Sequence, residues 1–420
     1  MSQSVAAVIT RTCQRLVVGP PAFDPSGQAT AAVVYPLFAP ELAPDPPDLL
    51  TLDEARRLGL VLLDVGLVDR IEADNPLPVT VLAAESDVLL GATQARAVDF
   101  SCLVPASKRA MLPVCCVEEG RPVHHQVPLD RVDAAPWRAR SFRLQELAHR
   151  GEARQPWVWD SIRTYLSTVG VQSETHDLHA VMEHSDRALA ALSAWYPLQP
   201  GQVGVVCAVG AELFLELYGD PEILEDRYEQ VLRSALVEAT TTRTTQVLPP
   251  VAIGAFLDQL GPACRHARRL ERPSLKQSSQ TVAFGDATLV ASALVADGSV
   301  VHLAAHRRCL GQTRSWAEGV GDLVAASRCW ADTVNAHREA ARRDQYARRR
   351  NRYQALKARL AAAQPALSAP TGPRATAPAP LRTRGTAASA APNEADAKPL
   401  SPRLHRLLVG LFGAGPRPRR

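Results

Sequence analysis

Apolar, β-branched runs alternate with turn-forming clusters through the first third of the chain. Ser4 to Val18 and Ala31 to Phe38 read as a strand pair, separated by Gly19-Pro20-Pro21 and Asp24-Pro25-Ser26-Gly27. The proline-rich run from Pro40 to Asp48 excludes regular structure and serves as a connector. Thr51, with Glu54 three residues on, has the spacing of a capping box and predicts a short helix ending at Gly59. Leu60 to Ile71, Val79 to Ala84, Val88 to Leu90, Ala95 to Leu103 and Ala110 to Val117 then read as strands joined by short turns. Residues 60 to 120 therefore predict a mostly antiparallel sheet or sandwich layer. Val123 to Arg140 shows no period and predicts a loop.

From Pro156 the apolar period lengthens. Trp159, Ile162, Tyr165 and Leu166 recur at helical spacing, and Leu178 to Leu192 predicts a second amphipathic helix. Val203 to Val209 and Glu212 to Leu217 form a hairpin pattern about Gly210-Ala211. Asp220 caps a further helix with Pro221 at its first position, and another helix spans roughly Pro250 to Leu260. Val282 to Phe284, Ala287 to Val295 and Val300 to Ala305 predict a β-meander, with Asp297-Gly298 as a hairpin turn. The fold class is α+β: an antiparallel β layer packed with a helix-rich second half that ends in the meander.

The last quarter differs. Leu323 to Leu360 lacks Gly and Pro and predicts a long exposed helix, while residues 361–402 are too poor in large apolar side chains to offset chain entropy and read as disordered. Leu407 to Phe412 is a short apolar island. The expected organisation is an N-terminal segment over 1–48, an α+β body over 49–310, a helical extension over 311–360 and a disordered tail over 361–420.

Charge sharpens this division. The net +4 hides an asymmetry, because 18 of the 47 basic and 5 of the 43 acidic residues lie in 331–420, giving +13 there and −9 before it. An acidic body is a poor match for a nucleic-acid backbone. The tail is a better one: Arg342, Arg343, Arg348, Arg349, Arg350 and Arg352 would put positive charge around most of a helix and favour an anionic partner such as RNA or DNA. A solvated basic helix without a specific partner is the plainer alternative.

No apolar run is long enough to span a membrane as a helix, and the N-terminus lacks the pattern of a secretory signal. The eight cysteines are scattered, without a CxxC spacing, and read as reduced core thiols of a cytoplasmic protein. His176, His179 and His184 lack the HExxH spacing, so no metal site is expected. Cys115-Cys116 has no adjacent base to make a nucleophile. P-loop, GxSxG and GxGxxG fingerprints are missing.

Two polar clusters stand out among the apolar runs. Gln94 and Arg96 are two residues apart and project from one face if extended. Glu118 and Arg121 follow a strand-like run, with Gly120 to turn the chain. A hairpin through Pro105-Ala106-Ser107 would bring the clusters face to face.

The residues Gly91 to Arg96, Val114 to Arg121, Gln155 to Ile162 with Trp159, Ser173 to Thr175, Gly204 to Phe214 and His302-Leu303 resemble the ADP-ribosylglycohydrolase and rhodanese-phosphatase-superfamily-associated protein domain family, over about residues 50–306. The family takes its name from the genes it accompanies, which implies a pathway that handles ADP-ribose or related phosphate esters. On that resemblance, Arg96 and Arg121 are candidate phosphate contacts, because a guanidinium offers a bidentate fork. Gln94 would read a sugar or base edge, and Glu118 would orient an arginine or act as a base. The same four residues equally read as a buried network that fixes strand register. The chain is then either a domain that binds or processes a nucleotide-derived phosphate compound, or a non-catalytic protein-interaction module with a basic tail for an anionic partner.

Overall fold

The computed structural model describes residues 4–23, 32–39, 48–193, 195–241, 246–270, 279–309, 311, 313–328, 354–355, 357–359 and 361–362. The tail beyond these, including Arg342, Arg343, Arg348, Arg349, Arg350, Arg352 and the island at 407–412, lies outside the described residues. So does most of the helix expected over 323–360, of which 323–328, 354–355 and 357–359 are described, all as helix.

The α+β expectation holds, with a large sheet and a small barrel as its two β units. The sheet is antiparallel throughout, in the order Val17–Val18, Ala32–Phe38, Gln202–Val209, Glu212–Tyr218, Ser299–Arg308, Leu289–Ala296, Ser279–Gly285 and Arg268–Leu270, with Ala22–Phe23 also paired to Ala32–Phe38. It thus combines the predicted hairpin and the predicted meander with three strands from the N-terminal segment and the short edge strand Arg268–Leu270. The meander turns at Asp297 and Gly298, both at positive φ, as a two-residue hairpin requires.

Successive side chains leave opposite faces of a strand, and here both faces are covered. Val205, Cys207 and Val209 point into one core, with helices Trp137–Arg150, Gln155–Val169, Ala180–Ser193 and Pro221–Thr241. Val206 and Ala208 point into the other, with helices Val5–Gln14 and Val251–Ala263. That two-sided cover is why these strands are apolar without alternation.

Residues 60–120 do not stay an open layer. Lys108–Cys116, Arg70–Asn75, Val61–Asp64, Val127–Ala134, Asp87–Gly91 and Arg96–Val98 close into a barrel, the last strand pairing back onto the first. Its interior is a separate core containing Leu62, Ile71, Leu89, Val98, Leu112 and Val132. The expected strand Ala95 to Leu103 is two strands, because Asp99 to Ser101 carry the chain out of the barrel into a three-stranded sheet of Cys102–Val104, Thr80–Ala83 and Leu49–Thr51. The capping box at Thr51 and Glu54 is present, and both residues are buried.

Two expectations are corrected. Ser4 to Val18 is mainly the helix Val5–Gln14: the Ser4 hydroxyl caps it, and Val8, Ile9 and Cys13 fall on one buried helical face. Only Val17 and Val18 pair as a strand. The predicted loop Val123 to Arg140 contains the barrel strand Val127–Ala134 and the start of helix Trp137–Arg150. A register shift between Leu129 and Arg131 places exposed Asp130 and Arg131 side by side between buried Leu129 and Val132, which erases the alternation in the sequence.

Candidate functional site

The four sequence candidates separate into two places at one end of the barrel. Arg96 opposes Cys116 across the closing strand pair and is fully buried. Its Nη2 and Nε donate to Asp64 Oδ2 at 3.0 and 3.3 Å, and its Nη1 lies against the Cys116 thiol. Asp64 is equally buried; it also accepts from the Thr93 hydroxyl at 3.1 Å and the Gly66 amide at 2.8 Å. A buried carboxylate and guanidinium arranged in this way neutralise one another and offer nothing to an incoming anion. Burial pushes the Cys116 thiol up to about 11, with Arg96 pulling the other way, so the thiol stays protonated near neutral pH.

Gln94, Glu118 and Arg121 do come together, at the rim. The Glu118 carboxylate accepts from the Ala95 amide at 3.0 Å, the Thr175 hydroxyl at 2.7 Å and Arg121 Nη1 at 3.5 Å. Gln94 donates to the Glu119 carbonyl at 3.2 Å. Arg121 keeps 41% of its side-chain surface exposed. Gly120 allows a close approach here: its amide donates to the Thr175 carbonyl at 2.9 Å, and a Cβ would stand a tight 3.1 Å from Thr175 Cα.

Other rim residues come from distant segments: Gln155 and Ser173 to Thr175 are among the resembling positions, whereas Arg163 is not. The segment Ser173 to Leu178 returns to the strand end through the Glu118–Asp177 bridge, with His176 at positive φ and its Nδ1 3.4 Å from Glu119. Arg163, from helix Gln155–Val169, reaches both Glu119 and Asp160. Gln155 fastens the start of that helix to the barrel, accepting from the Cys116 amide and donating to the Cys116 carbonyl, both at 2.8 Å. Burial raises the Asp177 carboxyl above its usual range, and the backbone hydrogen bond from His179 opposes the shift. Only long-range folding assembles these groups.

A larger polar cluster, unforeseen except for His302 among the resembling positions, lies between barrel, sheet and helices. Ser101 Oγ is 2.7 Å from His302 Nδ1, and His302 Nε2 is 2.6 Å from Glu216. Glu216 meets Arg140, Arg140 meets Glu85, and the Glu85 amide returns to Ser101 Oγ at 3.0 Å, closing a ring. Arg143 adds a second guanidinium to Glu85. Burial would raise the Glu216 carboxyl, but Arg140 and His302 outweigh it and hold it at about 2. Serine, histidine and glutamate here have the connectivity of a nucleophile, its base and an orienting acid. Access is lacking: Ser101 is 1% exposed. The ring therefore ties three structural layers together, each of its residues joined to the next by a hydrogen bond or an ion pair, as burial demands.

Among the described residues no group of three or more His, Cys, Asp or Glu is placed to hold a metal ion, and no helix is long and apolar enough to cross a membrane. The seven described cysteines are free and buried.

A family model described as the ARG and Rhodanese-Phosphatase-superfamily-associated Protein domain matches residues 23–306, from the strand Ala22–Phe23 to the end of the meander. No curated protein and no solved structure matches the chain.

Proposed function

The chain belongs to the ARG and Rhodanese-Phosphatase-superfamily-associated Protein domain family, and from that premise we propose that it binds a nucleotide-derived phosphate compound, ADP-ribose or a relative, without transforming it. The observation that carries this reading is the partly exposed Arg121 side chain, held at the barrel rim by a Glu118 carboxylate that is already satisfied. An arginine oriented from below and open above can take a phosphate in bidentate fashion. Gln94 supplies a neighbouring amide. Binding rather than processing is favoured because both Glu118 oxygens already accept hydrogen bonds, which leaves it poorly placed as a general base. Arg96 supports the site from behind, through Asp64, and makes no ligand contact.

Protein interaction is the second reading, favoured by Leu67, Val68 and Val123, which stay exposed on loops next to Asp64 and Arg121. Burial of the free cysteines supports a reducing, cytoplasmic location.

A thermal-shift and calorimetric panel of ADP-ribose, NAD, nucleoside phosphates and phosphosugars tests the first reading. It expects a saturable response from at least one phosphate compound and its loss in Arg121→Ala. No response across the panel, or an undiminished response in Arg121→Ala, overturns it.

A further inference from the structure

We propose that Trp159 is the base-recognising residue of the rim, so that the ligand carries a nucleobase and is not a simple phosphosugar; this rests on the reading that the rim binds a phosphate compound. The placement follows from helix geometry. Trp159 is four residues after Gln155 and four before Arg163 in helix Gln155–Val169, so the three form one stripe. Gln155 grips the Cys116 backbone, and Arg163 reaches the Glu119 carboxylate. Trp159 is therefore carried along the strand end from Cys116 to Glu119, the segment that holds Glu118 and receives the Gln94 amide.

Its packing is unusual for an indole. Val158, Ile162, Tyr165 and Leu166 do the burying for this helix, and the neighbouring Trp157 packs against the helix-side core. Trp159 joins none of the three cores and is only partly buried. Its Nε1 is shielded from solvent, with no hydrogen-bond partner among the described residues. A shielded indole N–H normally finds an acceptor. A large aromatic that contributes to no core, with an unclaimed donor, on a helix fastened to the strand end that receives the Gln94 amide and leads into Arg121, matches what a nucleotide presents: a flat, acceptor-rich base joined to phosphate.

The test titrates full-length wild type, Trp159→Ala, Trp159→Phe and Arg121→Ala with ADP-ribose, ADP and ribose 5-phosphate, by calorimetry and intrinsic fluorescence. The expected result is that base-bearing ligands quench the wild-type fluorescence and bind Trp159→Ala about tenfold or more weaker, while ribose 5-phosphate binds both alike. Trp159→Phe keeps a stacking ring and most of the affinity but loses the quenching, so it decides the matter should the alanine variant fail to fold. Unchanged ADP-ribose affinity in Trp159→Ala, or undiminished quenching in Trp159→Phe, overturns the assignment of Trp159. If Arg121→Ala still loses binding in that case, the phosphate-binding reading survives; if wild type binds neither these three ligands nor any other compound of the wider panel, both fall.

Discussion

Arg96 and Asp64 meet inside the barrel with Nη2 and Oδ2 3.0 Å apart and neither side chain exposed. The sequence places them 32 residues apart on strands that share no hydrogen bonds, and only closure of the barrel brings them together. Removing one partner strands a charge. Arg96→Ala and Asp64→Asn are each expected to cost about 3–5 kcal/mol in urea denaturation, whereas the apolar pair Arg96→Met with Asp64→Leu costs much less than their sum. Additive losses would show that the two charges act independently.

Two carboxylates that share Arg138 set a pH window. Burial raises the Glu238 carboxyl to about 7, with Arg138 only partly opposing it. Burial also acts to raise Glu212, but His306 and Arg138 outweigh it and hold Glu212 at about 2. For Glu238 the folded state binds the proton more tightly than the unfolded state, so its contribution is full below about pH 4.5 and is lost as pH rises through 7. That loss amounts to something on the order of 3 kcal/mol. Glu212 acts in the opposite sense, with stability present above about pH 4.5 and lost as pH falls toward 2. Glu238→Gln should flatten the pH dependence of the denaturation midpoint between 5 and 8 and raise stability at pH 8. An unchanged slope in the variant would rule Glu238 out as its source.

The N-terminal helix can be tested by the sign of small changes. Ser4 Oγ accepts from the Ala7 amide at 3.2 Å, so Ser4→Ala is expected to cost about 1 kcal/mol. Ala7 is exposed on the helix, and Ala7→Val should destabilise by a few tenths of a kcal/mol, up to about 0.7. In a strand the same replacement would be neutral or favourable. Thermal melts of the two variants decide it, and a stabilised Ala7→Val would contradict the helix.

Sequence reading did best where neighbours in the chain decide the structure. The Thr51 and Glu54 cap, the Gly210 hairpin and the Asp297-Gly298 turn all rest on residues within three positions of each other. It failed where a distant strand imposes the form. Val127–Ala134 is a strand because Asp64 and Asp87–Gly91 flank it, and its register shift hides the period from any local window. The candidate site divides in the same way. Gln94, Glu118 and Arg121 could be picked out as polar interruptions near one another, and they do meet. Arg96 gave the same signal, but its direction was settled by Asp64, and nothing in the local pattern ties Arg163, Thr175 or His176 to the rim. The Ser101, His302, Glu216 and Arg140 ring was hidden for the opposite reason, since isolated polar residues within apolar strands look incidental until the layers are stacked.

The basic tail gives the last prediction. Arg359, at the end of the basic segment, donates Nη1 to Asp48 at 3.0 Å and Nη2 to the Pro78 carbonyl at 2.6 Å. An exposed pair of this kind contributes at most about 1 kcal/mol, and it holds Arg359 beside the three-stranded sheet, at the residues that precede Leu49–Thr51 and Thr80–Ala83. The other arginines, from Arg342 to Arg352, carry the charge expected to meet an anionic partner. Full-length protein should be retained on an RNA or DNA column at low salt, with affinity falling steeply as salt rises, and a chain ending at Ala336 should not. Because the Arg359 guanidinium is engaged by the body, Arg359→Ala should leave the salt dependence nearly unchanged. Arg349→Ala with Arg350→Ala should lower the slope of log affinity against log salt by about 2. Equal retention of the full-length and shortened chains, or a slope that responds to Arg359 and not to Arg349 and Arg350, would remove the tail as a nucleic-acid contact.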